Sequence, residues 1–112
     1  DQDYGYKKSI FLDFFNHKAL TVIFPSLLVK RTSCKVFLLT LVKEGDFYIA
    51  DIEELMLTGE SIEEDLKIVN YAIENFAQNH KSEYFWIHRR FKNRPEGEKS
   101  FYPDSALRKE WL

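Results

Sequence analysis

Apolar residues change their spacing from one stretch of this chain to the next, and each spacing predicts a different element. Residues 36–42, Val-Phe-Leu-Leu-Thr-Leu-Val, are apolar at nearly every position, which suits a central strand covered on both faces rather than an edge strand. Glu44-Gly45-Asp46 follows as a three-residue turn. Phe47 to Leu55 then reads as a second strand whose alternation becomes clean toward its end, so residues 36–54 are the firmest hairpin in the pattern. Ser61 and Glu64 have the spacing of a capping box and mark a helix start. Behind them Ile62, Leu66, Val69, Ile73, Phe76 and Ala77 form one stripe, with Glu63, Glu64, Lys67, Asn70, Glu74 and Gln78 assigned to the other face. Such a helix covers a sheet, and Asn79-His80-Lys81-Ser82 ends it.

The first third is less regular. The stretch to Asn16 reads as a loop entering an aromatic segment of Phe11, Phe14 and Phe15. Leu20 to Phe24 is β-prone, and Pro25-Ser26 opens a short helix that carries Leu27, Leu28, Lys30 and Arg31 and ends near Ser33-Cys34. Two adjacent strands, a covering helix and an earlier strand and helix predict an α/β class, a partial sheet with flanking helices.

Composition narrows what such a chain does. With 112 residues, 45% apolar and 30% charged, it holds one globular core at most, and a complete multi-substrate enzyme of this size would be unusual. The chain begins at Asp1 rather than Met and is expected to be incomplete; Asp1-Gln2-Asp3-Tyr4-Gly5 has neither the basic start nor the apolar stretch of a signal peptide. No apolar run approaches the roughly 18 to 20 residues of a bilayer-spanning helix. Cys34 is alone, which excludes an internal disulfide and fits a reducing compartment. The net charge of −2 conceals an uneven distribution: residues 44–65 carry nine acidic side chains and no basic one, whereas 88–94 carry Arg89, Arg90, Lys92 and Arg94 and no acid.

Candidate chemistry concentrates in that basic run. His17, His80 and His88 lie on unrelated segments without ligand spacing, so no metal site is expected. Cys34, at the mouth of an apolar strand, reads as a small buried thiol, and neither a Gly-x-Ser-x-Gly elbow nor a phosphate-cradling glycine loop occurs. In residues 83–97, by contrast, aromatic rings interleave with four cations that could grip phosphates, stack on bases or hold carboxylates. Anion recognition is common to all three uses; the alternative is a solvated basic tail beside core aromatics. A pI near 5.9 and the acidic block argue against a nucleic-acid footprint.

Asp1-Gln2-Asp3-Tyr4-Gly5 followed by Phe11-Leu12-Asp13-Phe14-Phe15, and much later Tyr84-Phe85-Trp86-Ile87-His88-Arg89-Arg90-Phe91-Lys92-Asn93-Arg94-Pro95-Glu96-Gly97-Glu98, resemble the bacterial lipid A late acyltransferases, the lauroyl and myristoyl transferase family. The resemblance covers nearly all of this chain but only the C-terminal part of the family. It therefore implies that residues 1–112 are the C-terminal portion of a single acyltransferase domain with a glycerolipid-acyltransferase-like fold. The activity it implies is acyl transfer from acyl carrier protein to a hydroxyl of a lipid A precursor, at the cytoplasmic face of the bacterial inner membrane, with no metal, cofactor or covalent intermediate. Membrane attachment in that family comes through an N-terminal helix ahead of the region seen here.

The family's reactive pair is His-x-x-x-x-Asp/Glu, the His acting as general base. The fifth residues after His17, His80 and His88 are Val22, Phe85 and Asn93, so no catalytic residue is assigned and this chain alone is expected to be inactive. The substrate-binding residues the resemblance suggests are Asp1 and Asp3, on a loop lining the site, and Arg89, Arg90, Lys92 and Arg94. Their anions would be sugar phosphates, phosphopantetheine or the acidic face of the carrier protein. On this reading Arg94→Ala raises a Michaelis constant without affecting folding. The alternative for Arg89 and Arg90 is pairing with an internal carboxylate such as Asp1 or Asp3, fixing the C-terminal segment against the sheet. Tyr84, Phe85 and Trp86 are expected in the core. The competing function class is a non-catalytic anion- or partner-binding domain that uses segment 84–94.

Overall fold

A computed structural model describes residues 5–102. After a single 3-10 turn at Tyr6–Lys8, the elements are β1 (Ser9–Phe14), β2 (His17–Val22), α1 (Phe24–Thr32), β3 (Val36–Glu44), β4 (Phe47–Leu55) and α2 (Ile62–Asn79). The α/β content matches the pattern, but the single partial sheet expected is instead two antiparallel hairpins, β1-β2 and β3-β4, in separate sheets. Leu12 and Phe14 of β1, Ala19 and Leu20 of β2, Val29 of α1, and Leu66 and Ala77 of α2 are buried as the apolar core.

The first hairpin replaces the loop expected up to Asn16. Its two-residue turn, Phe15-Asn16, takes φ of 50° and 60°, the backbone class of a type I′ connection, which normally selects Asn-Gly or Asp-Gly. A phenylalanine is costly there. The Phe15 amide donates to Glu74 Oε1 on α2 at 2.8 Å, and its ring meets Phe14 at 4.9 Å between centroids, so tertiary contacts stabilise a turn that local sequence does not favour.

Helix α1 follows its sequence signals. Pro25 lies in its first turn, and Ser33 ends it with a left-handed φ of 54° while its amide donates to Val29 O at 2.7 Å.

In the second hairpin Glu44 pairs with Phe47, so the turn is Gly45-Asp46, two residues rather than three, with positive φ on Gly45 alone. β3 is not covered on both faces: Val36, Leu38, Thr40 and Val42 are half-buried, while Phe37, Leu39 and Leu41 are exposed. The reason is topological. Among the described residues the ribbon pairs only with itself, and α2 borders a cleft of about 320 Å³ on the half-buried side, lined by Leu38, Thr40, Val42, Ala72 and Phe76.

At the start of α2 the Ser61 hydroxyl accepts from the Glu64 amide at 3.3 Å, as the capping spacing predicts, and the Glu64 carboxylate turns to Lys67 at 3.1 Å. Asp65 is only 1% exposed. Its carboxylate accepts from Ser26 Oγ of α1 at 2.6 Å and from the Thr58 and Gly59 amides at 2.8 and 2.9 Å, joining α1, the loop before α2, and α2 itself. Burial raises the pKa of this carboxyl, but the four hydrogen bonds from Ser26, Thr58 and Gly59 together outweigh it and hold the group below its ordinary value.

Candidate functional site

The basic segment lies against the outer edge of β2. Phe14 pairs with His17 across the two-residue turn, and in an antiparallel ladder hydrogen-bonded pairs alternate, so Lys18 and Leu20 direct their carbonyls away from β1. Such a row of unpaired acceptors is a liability at a sheet edge. Arg90 Nη1 donates to Leu20 O at 2.5 Å, and Arg94 Nη1 donates to Lys18 O, covering both.

Arg90 is 7% exposed. Its Nη2 donates to Thr21 Oγ1 at 3.0 Å, and its guanidinium lies over the Phe14 ring at 5.2 Å. The same Thr21 oxygen accepts from Asn70 Nδ2 at 3.2 Å, and that nitrogen also reaches Asp13 O at 3.1 Å. Asn70, assigned above to the polar face of α2, is therefore buried. It follows Leu66 by four residues and precedes Ile73 by three, a position inside the apolar stripe, and that spacing was the available signal. Thr21 carries no such signal.

Arg94 donates through Nη2 to Glu98 and stacks on Phe101 at 4.0 Å. Its side chain is almost wholly covered. Arg89 is half-buried with its guanidinium 5.4 Å from the Tyr102 ring, and Lys92 is exposed. Thus, among the described residues, Arg90 and Arg94 reach β2 through backbone carbonyls, while Arg89 is half-buried and Lys92 exposed. Asp1 and Asp3 lie outside the described residues.

The aromatics beside the run divide in the same way. Tyr84 is half-buried, at 6.3 Å from Phe14 and 4.6 Å from Trp86, and burial pushes its phenol pKa up against the lowering influence of Arg90. Phe85 and Trp86, expected in the core, are exposed along with Ile87. Residues 81–91 form consecutive turns, so neighbouring side chains diverge; the Trp86 indole donates to Lys81 O at 2.5 Å, which holds the ring at the surface.

His17 lies edge-on to Phe91 and Phe101 at 6.0 and 5.1 Å, and His80 stacks on Phe76 at 5.2 Å, so these two histidines act as ring partners. Among the described residues no group of three or more His, Cys, Asp or Glu could hold a metal ion, and no helix is long and apolar enough to cross a membrane.

The profile of a family described as bacterial lipid A biosynthesis acyltransferase matches residues 1–93, a span that ends within the basic run. The chain is 34% identical over 108 residues to a lipid A biosynthesis palmitoleoyltransferase of Escherichia coli (strain K12) and to a lipid A biosynthesis acyltransferase of Shigella flexneri. Each match takes in 91% of this chain but 35% of the relative, so the chain spans about a third of the length of these proteins. No solved structure matches it.

Proposed function

Because the chain belongs to the bacterial lipid A biosynthesis acyltransferase family, we propose that it is part of an enzyme that moves a fatty acyl chain from acyl carrier protein to a hydroxyl of a lipid A precursor. In that reaction the acceptor oxygen bonds to the thioester carbonyl carbon, the carbon–sulfur bond breaks, and the hydroxyl proton ends on the departing thiol. The base that moves the proton is not among these 112 residues, since no His here is followed by an acid at the fifth place. The reaction takes place at the cytoplasmic face of the inner membrane.

This chain contributes anion recognition. Arg90 and Arg94 hold the segment against β2, and Arg89 and Lys92 meet the phosphates of the acceptor or of the carrier's prosthetic group. Asp1 and Asp3 belong to the same proposed site. The observation that supports this reading is the family match, which extends into the basic run, together with the exposure of Lys92 and the partial exposure of Arg89.

The test is a steady-state assay of the full-length enzyme with acyl carrier protein thioester and phosphorylated precursor. Arg89→Ala and Lys92→Ala should each raise the KM of one of those two substrates about tenfold, the loss of one charge-assisted contact, with kcat and the thermal midpoint preserved. An unchanged KM in both variants would remove the anion role, and no transfer from the carrier thioester by the wild type would remove the reaction itself.

A further inference from the structure

We propose that Thr21 and Asn70 are positioning residues that act through Arg90 to set where Arg89 and Lys92 stand, an inference that rests on the acyltransferase reading above. The Thr21 hydroxyl has one proton and two lone pairs. It donates to Ala19 O at 3.2 Å and accepts from Asn70 Nδ2 at 3.2 Å and Arg90 Nη2 at 3.0 Å, so its capacity is filled by three protein partners. Asn70 adds Asp13 O, and Arg90 adds Leu20 O. β2, α2 and the basic segment therefore converge on one buried oxygen, and Asn70 links β1 to it through Asp13 O.

The basic run depends on that junction because its own backbone provides little regular support. Residues 81–91 form turns, closed locally by Arg90 N to His88 O at 2.8 Å and Lys92 N to Arg89 O at 3.1 Å, without a helix or a strand ladder. A shift of Arg90 is transmitted directly to Arg89 beside it and Lys92 two residues on. Space for such a shift exists, in a cleft of about 260 Å³ bounded by Thr21, Val22, Pro25, Val69, Asn70, Ile73 and Arg90. An apolar replacement of Thr21 keeps the local volume but removes one of the acceptors that place the guanidinium.

The full-length enzyme tests this with Thr21→Val, Thr21→Ser and Asn70→Ala, assayed beside Arg89→Ala and Lys92→Ala. Thr21→Val should raise the same KM that the Arg89 and Lys92 variants raise, by at least fivefold, with kcat within twofold, and Thr21→Ser should restore it. A lowered thermal midpoint with KM unchanged would overturn the positioning role while the effect of the Arg89 and Lys92 variants kept the anion reading intact. If those two variants leave KM unchanged, the anion reading fails and the positioning role falls with it. Should Thr21→Val not fold, Asn70→Ala is read by the same KM criterion, and loss of folding in both would mean that the junction is structural only, against the proposal.

Discussion

Arg90 and Arg94 stand four apart in a segment of turns, and both guanidinium groups reach the row of carbonyls on the outer edge of β2. Truncating Arg90 would leave Leu20 O and Thr21 Oγ1 without that donor in a buried site. Arg90→Ala should therefore lower stability by about 3 kcal/mol in urea denaturation, and Arg90→Lys should recover only part of it, since an ammonium lacks the paired donors that reach both acceptors. Arg94→Ala should also destabilise, because its guanidinium holds Lys18 O and Glu98 and stacks on Phe101. Asp65 acts comparably at the other end of the core. Its pKa is lower folded than unfolded, so the stability it contributes is complete above the ordinary aspartate value of about 3.9 and is lost as pH falls through the lower folded value. Asp65→Asn should consequently flatten the acid limb of the stability profile, and Asp65→Ala should cost about 3 kcal/mol at neutral pH by leaving the Ser26, Thr58 and Gly59 donors without an acceptor.

Elements differ in how local their causes are. The start of α2 is encoded within four residues, and Ser61→Ala should reduce stability by about 1 kcal/mol by removing the oxygen that accepts from the Glu64 amide. The loop before it is constrained from a distance: Gly59 has φ of 73°, and a Cβ there would stand 2.6 Å from the Lys30 backbone nitrogen of α1. Gly59→Ala should cost about 2 kcal/mol or more, measured as a drop in urea midpoint, because the clash is with backbone and no side chain can move aside. The β1-β2 hairpin lies between these cases. Its strands are ordinary, but its turn depends on Glu74 and on ring packing, which accounts for the loop expected in its place. β3 and β4 paired as their pattern predicts, since the hairpin is closed by a local Gly-Asp turn; their burial did not follow, because burial depends on what lies above the ribbon.

At the scale of the molecule, Phe37, Leu39, Leu41 and Ile52 share one outer face of the β3-β4 ribbon, as the register Leu39 to Ile52 and Leu41 to Ala50 requires, and all four are exposed. A contiguous apolar face of this kind drives association. The isolated chain should therefore show a concentration-dependent sedimentation coefficient, and Leu39→Lys with Leu41→Lys should abolish that dependence without unfolding the ribbon. The opposite charges of the acidic middle and the basic run nearly cancel in the net charge and occupy different elements: Asp51, Glu53 and Glu54 on β4 and Glu63 and Glu64 on α2, but Arg90 and Arg94 on the edge of β2. The sequence by itself determined the caps, the α2 stripe, the second hairpin and the family resemblance, because each is written in residues close together or in one uninterrupted motif. Only the tertiary structure decided that Asn70 is buried and that two of the four cations turn inward. The contacts of Arg90 and Arg94 with the β2 edge include backbone carbonyls about seventy residues upstream, and a carbonyl carries no side-chain identity by which a sequence pattern could announce it.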